Sequence, residues 1–164
     1  MAGNASPAVV GNVVATLVLA LMLSLAPLPD WLAPYAPDWV LMTLIYWSIY
    51  RPAVCGVGVA WLSGLVIDVT FGTLLAQHAL AAAFVIYLTA KFHLQLRAFP
   101  FSQLAATVLG LLAIYRFILL WINGVAGITV PAINYWAPVL VGAILWPILA
   151  SVLPPLVDNA RSRS

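Results

Sequence analysis

Charge is what this sequence has least of. Among its 164 residues only six are Lys or Arg and four are Asp or Glu, 6% in all, whereas 65% are hydrophobic and the mean hydropathy is +1.12. A soluble domain carries about 25% charged residues, so an ordinary water-soluble fold is excluded, and a net charge of +2 is too small to attract nucleic acid. There is a single cysteine, Cys55, which rules out an intramolecular disulfide or a thiolate metal cluster. Set in an apolar stretch beside Gly56, it reads as a small buried hydrophobe. Long polar segments are missing too: connections run to about a dozen residues at most, so no soluble domain remains outside the apolar runs. Also absent are HExxH, GxSxG, a phosphate loop and a second carboxylate deep in an apolar run that could form a protease dyad. These absences argue against an enzyme, and no metal or cofactor is expected.

What remains is a set of hydrophobic runs of transmembrane length, without the short alternating segments of a membrane barrel. The expected fold is all-α, a single polytopic membrane domain over 1–164 with about six spans at 8–26, 38–50, 53–71, 74–90, 101–123 and 135–157. The second is too short to cross about 30 Å comfortably at 1.5 Å per residue; it starts earlier or is sheltered by its neighbours. The first run has no basic flank, and PLPDWLAP follows it rather than a small-x-small cleavage site, so it reads as a retained helix rather than a signal peptide. Pro52 and Pro100 are placed to open helices, and Pro138 and Pro147 to kink or break the last.

Apart from Arg116, the basic residues are Arg51, Lys91, Arg97, Arg161 and Arg163, in the second loop, the fourth loop and the C-terminal tail. The odd-numbered loops have none. Six spans with that alternation put both termini and the even loops in the cytoplasm. Trp31, Tyr35 and Trp39 on one side, and Tyr46, Trp47 and Tyr50 on the other, match the two aromatic belts, with Phe92, Phe99 and Phe101 at the cytoplasmic surface.

The stretch GLVIDVTFG, from Gly64 to Gly72, sets a lone carboxylate in one of these runs. Small residues recur every fourth position toward it: Gly56, Ala60, Gly64, then Asp68, then Gly72. That spacing keeps them on one slowly drifting helix face, where small residues let two backbones approach closely. Asp68 therefore points at protein rather than lipid. Arg116, in LLAIYRFILLW, is the other deep charge. Each costs about 2.5–3.5 kcal/mol at a bilayer centre and so needs a partner or a wet cavity. Both lie about 15 residues beyond the start of their spans, roughly 22 Å at 1.5 Å per residue. An Asp68–Arg116 ion pair, direct or bridged by a polar neighbour, is expected, with Gln77 and His78 close enough to complete the network. One histidine without a second ligand at metal spacing does not make a metal site, and Ser63 reads as a helix-packing serine.

At this point PDWVLMTLIYW, then Arg51-Pro52, then GVGVAWLSGLVIDVTFGTLLAQHAL resembles the characteristic stretch of the MreD family of bacterial rod-shape-determining proteins. The matching features are a proline-led helix ending in Ile-Tyr-Trp, a Gly-rich helix with GLxxDxxxG, and a Gln-His-Ala-Leu helix start. The motif positions are Tyr46, Trp47, Gly64, Asp68, Gly72, Gln77 and His78; Arg116 is added from depth alone. The resemblance implies a bacterial inner-membrane subunit of the cell-elongation machinery that directs side-wall peptidoglycan synthesis. Its expected partners are the single-span protein MreC and, less directly, MreB, a RodA-type glycosyltransferase and a penicillin-binding transpeptidase. It also implies a fold similar to the substrate-binding membrane subunits of energy-coupling-factor transporters.

Two functional readings follow. In the first the bundle is a non-enzymatic scaffold that presents lipid-facing grooves to a partner helix, with the Asp68 layer fixing the bundle. In the second it is a small-solute-binding transport subunit, with Asp68, Gln77, His78 and Arg116 lining a cavity. A self-satisfied polar layer favours the first and an outward pocket of several hundred cubic ångströms the second.

Overall fold

The computed structural model describes residues 7–74, 76–130 and 134–153. All regular structure among them is helical: α1 Pro7–Leu25, a short 3-10 turn Ala33–Tyr35, α2 Trp39–Tyr50, α3 Val57–Phe71, α4 Gln77–Ala98, α5 Phe101–Val125 and α6 Ala137–Val152. Three of these, α1, α4 and α5, are long and apolar enough to cross a membrane; α3 and α6 are shorter apolar helices. The last residues of the expected sixth span lie outside the described residues.

Helix α2 is the short segment sheltered by its neighbours that the length of its apolar run implies. Its 12 residues extend about 18 Å, too little for a bilayer core. Every residue from Val40 to Ile49 is buried, and Met42, Ile45, Trp47, Ser48 and Ile49 are completely inaccessible. A helix apolar on all sides is a core element when other helices surround it, and α2 packs against α1, α4, α5 and α6. Tyr46 and Trp47 are accordingly not belt residues. Tyr46 meets Trp47 edge-on, with ring centroids 5.8 Å apart, and its ring lies 6.4 Å from that of Trp146 on α6. The Trp47 indole N–H donates to Thr16 Oγ1 of α1 at 2.9 Å, which removes the cost of burying it. Cys55 is fully buried, as its apolar setting implies.

Two boundaries also move. Helix α3 starts at Val57, not near 53, because Pro52 enters a turn in which the Val54 and Cys55 amides bond to the Arg51 carbonyl, and Gly56 is extended. Helix α4 continues eight residues past the expected end, to Ala98. Lys91, His93 and Arg97 therefore ride on its last turns instead of a loop. No breaker occurs before Pro100, the residue preceding it is extended as proline requires, and a cation suits a helix C-terminus. Arg97 reaches across to the end of α2, donating from Nε to the Ile49 carbonyl at 2.7 Å and from Nη2 to that of Tyr50. Arg51, Lys91 and Arg97 thus gather at one end of the bundle, the basic end.

In α6, Pro138 falls in the first turn, where its missing N–H costs nothing, and Pro147 stays within one unbroken helix. Neither proline breaks it.

Candidate functional site

The polar residues collect at the opposite end. On α3 only Ala60, Gly64 and Asp68 are buried, an i, i+4, i+8 row that forms the contact with α4. Gly64 sits where the two backbones meet: a Cβ there would fall 2.3 Å from Ala79 Cα and 2.5 Å from Ala79 N. That approach brings the Asp68 side chain to the N-terminus of α4.

Ala76, which precedes α4, offers no side-chain cap. Asp68 supplies one from the neighbouring helix. Its Oδ1 accepts the His78 amide at 3.1 Å and its Oδ2 the Ala79 amide at 3.3 Å, two of the orphan donors of a helix start. Oδ1 also accepts the Thr73 hydroxyl at 2.8 Å and meets His78 Nδ1 at 2.7 Å. A carboxylate only accepts, so His78 carries its proton on Nδ1. The positive end of the helix dipole adds to the attraction. With 1% of its surface exposed, Asp68 has its charge met by four donors, which is what a buried carboxylate requires.

The rest of the motif closes the hairpin. Gly72 adopts φ +62°, the left-handed conformation that ends α3, and both its amide and that of Thr73 bond to the Asp68 carbonyl. Asp68 thus ends one helix through its backbone and starts the next through its side chain. Ala76, at φ 72°, is the single non-glycine residue in that region among those described. It bears a Cβ penalty of about 1 kcal/mol. Ala76→Gly is therefore expected to raise the thermal midpoint of the detergent-solubilised protein by about 2 °C.

Arg116 does not pair with Asp68. Its fork bonds bidentately to Asp38, at the start of α2, with Nε to Oδ2 at 3.0 Å and Nη2 to Oδ1 at 2.9 Å. Equal depth along two helices places charges at one level without placing them on facing surfaces. α4 stands against α3 at the level of Asp68, and the start of α2 reaches Arg116 first. Along the chain Asp38 reads as a span boundary, and neither Thr73 nor Tyr135 stands out. The signal for Asp38 was available: a deep arginine needs a carboxylate, and the chain has four acidic residues in all. Tyr135 covers the pair, its hydroxyl donating to the Arg116 carbonyl at 2.8 Å and its ring lying 5.5 Å from the guanidinium. Gln77 touches His78 through Nε2 at 3.5 Å, a marginal contact, while its buried Oε1 has no partner among the described residues.

The Asp68 clasp is closed, but the Asp38–Arg116 pair is not packed over. It borders a cavity of about 760 Å³, also lined by Thr73, His78, Tyr115 and Tyr135. Among the described residues no three His, Cys, Asp or Glu side chains are grouped as a metal site. Gly56, the first of the small-residue row, lies outside the α3–α4 contact as the residue before α3, with a Cβ position 3.4 Å from the Pro52 carbonyl.

Comparison with known proteins places these features in context. The family described as rod shape-determining protein MreD matches residues 8–154. A relative in Haemophilus influenzae, named rod shape-determining protein MreD, is 36% identical over 80 residues, 49% of each chain. The match thus spans about half the length of that relative. No solved structure matches.

Proposed function

This chain belongs to the MreD family of rod shape-determining proteins, and on that footing we propose that it is a non-enzymatic scaffold of the cell-elongation complex that seats the transmembrane helix of an MreC-like single-span partner. Through that partner it would engage the RodA-type glycosyltransferase and penicillin-binding transpeptidase of side-wall peptidoglycan synthesis, and indirectly MreB. By the excess of Lys and Arg at cytoplasmic ends, the basic end of the bundle faces the cytoplasm of the inner membrane and the cavity faces outward.

The observation that carries the reading is the groove beside α1. This helix buries only Val9, Val13 and Ala20 and packs chiefly on α2. Between it and α6 runs an apolar groove lined by Leu19, Leu23, Leu145, Ile148 and Val152. Its walls present no charge and suit a second apolar helix, which would gain packing contacts there that lipid chains make less well.

The test is site-specific photo-crosslinking in a rod-shaped host. Probes at Leu19 and Ile148, exposed in the groove, should give adducts with the MreC-like partner. Probes at Leu62 and Val69, exposed on α3, should give none. Adducts from α3 but not from the groove would overturn the assignment. The cavity supports a second reading, a membrane subunit that binds a small ligand.

A further inference from the structure

The cavity at the polar end is built around an ion pair that it does not bury. Asp38 and Arg116 each keep 19% of their side-chain surface accessible, and their mutual bonds use two of the five guanidinium N–H donors. The remaining donors and the spare carboxylate lone pairs are available on the cavity side. Beside them stands Tyr115, 2% exposed and lining the cavity, whose hydroxyl makes no hydrogen bond among the described residues. His78 completes the set. Its Nδ1–H is committed to Asp68, which leaves Nε2 of the neutral ring an acceptor, also without a partner among the described residues.

These groups select a ligand by charge pattern. A net anion near Arg116 also meets Asp38, and a net cation near Asp38 also meets Arg116, so neither gains much. A group carrying both charges a few ångströms apart can align against the pair, cation on Asp38 and anion on Arg116, and gain at both ends. The Tyr115 hydroxyl can donate to the anionic part and His78 Nε2 can accept from an ammonium N–H. The rest of the lining includes Ser24, Thr73, Asn134 and Tyr135 but is largely apolar, with Leu41, Ile67 and Phe71 among it. About 760 Å³ is within the range of small-molecule sites.

We propose that this cavity binds a zwitterionic phosphoethanolamine group, its ammonium on Asp38 and His78 and its phosphate on Arg116 and Tyr115. Such a group can arrive as the head of a membrane phospholipid or as a soluble glycerophosphoester. The ion pair does not by its charge decide between them, but the apolar walls suit the lipid.

The full chain, purified in detergent, is tested by native mass spectrometry and thermal shift against phosphatidylethanolamine, phosphatidylcholine, phosphatidylglycerol and soluble glycerophosphoethanolamine. Phosphatidylethanolamine is expected to bind at least tenfold tighter than phosphatidylglycerol, and tighter than phosphatidylcholine, whose trimethylammonium has no N–H to donate. Asp38→Asn and Tyr115→Phe are expected to weaken it, the latter about five- to tenfold as one hydrogen bond is lost; Leu62→Ala, on the exposed face of α3, should leave it unchanged. Tyr115→Phe keeps the ring and is the decisive variant if Asp38→Asn fails to fold. Binding of the lipid alone identifies the membrane as the source, and binding of both identifies the head group as sufficient. Equal binding of phosphatidylglycerol, or phosphatidylethanolamine binding that Tyr115→Phe does not weaken, overturns the proposal. Because the cavity is separate from the groove between α1 and α6, that outcome leaves the scaffold reading standing.

Discussion

Gly64→Ala is expected to destabilise the protein strongly by forcing α3 and α4 apart. The added methyl would lie 2.3 Å from Ala79 Cα and 2.7 Å from the His78 carbonyl carbon. These are backbone atoms of a helix, so no side-chain rotation relieves the clash and the helices must separate by about an ångström. Overpacking costs about 1–3 kcal/mol where side chains can yield and more where they cannot. Separation would also draw the His78 and Ala79 amides away from Asp68, whose bonds at 3.1 and 3.3 Å have little slack. Charge-assisted bonds contribute about 1.5–3 kcal/mol each, so a combined loss of about 4 kcal/mol or more is expected. That corresponds to a fall of roughly 10 °C in thermal midpoint for a chain of this size. Gly110→Ala is the control, since nothing lies within 4 Å of a Cβ there and alanine is the better helix former; it should be neutral or mildly stabilising. Fluorescence-detected size-exclusion chromatography after heating reads both variants.

Asp68→Ala is the second large loss. It strands four donors in a buried site: the Thr73 hydroxyl, the His78 ring N–H and the His78 and Ala79 amides. Removing one member of a buried charged network costs about 3–5 kcal/mol. Asp68→Asn should fall between, because its carbonyl oxygen can still accept from the helix start while its amide N–H₂ faces donors on the other side. The expected order of thermal midpoints is wild type, Asn, Ala. A reversed order, or Asn equal to wild type, would mean that the charge of Asp68 is not what holds the α4 terminus.

Much of this arrangement was legible along the chain because it is local in sequence. The ends of α1 and α5, the burial of the Ala60-Gly64-Asp68 row and the nearness of Asp68 to His78 depend on spacings of four to ten residues, which helix periodicity and a tight hairpin determine. The Arg116 partner was not legible in the same way, because Asp38 lies 78 residues away and the pairing depends on how α2 and α5 stand around the bundle axis. Depth gives height and no azimuth. Tyr46 and Trp47 were misplaced for a related reason: aromatic residues at the end of an apolar run suit a membrane interface and a protein core equally, and only the enclosure of α2 by other helices decides. Lys91 and Arg97 were placed in a loop on charge alone, although the nearest helix breaker is Pro100.

Asp68 caps α4 together with His78, and Asp38 rather than Asp68 is the counter-charge of Arg116. Two double-mutant cycles on thermal or denaturant stability test this arrangement most directly, one on Asp68→Asn with His78→Ala and one on Asp68→Asn with Arg116→Gln. A coupling of about 1 kcal/mol or more is expected for Asp68 with His78, and additivity within about 0.5 kcal/mol for Asp68 with Arg116. Strong coupling of Asp68 to Arg116, with none to His78, would contradict the arrangement.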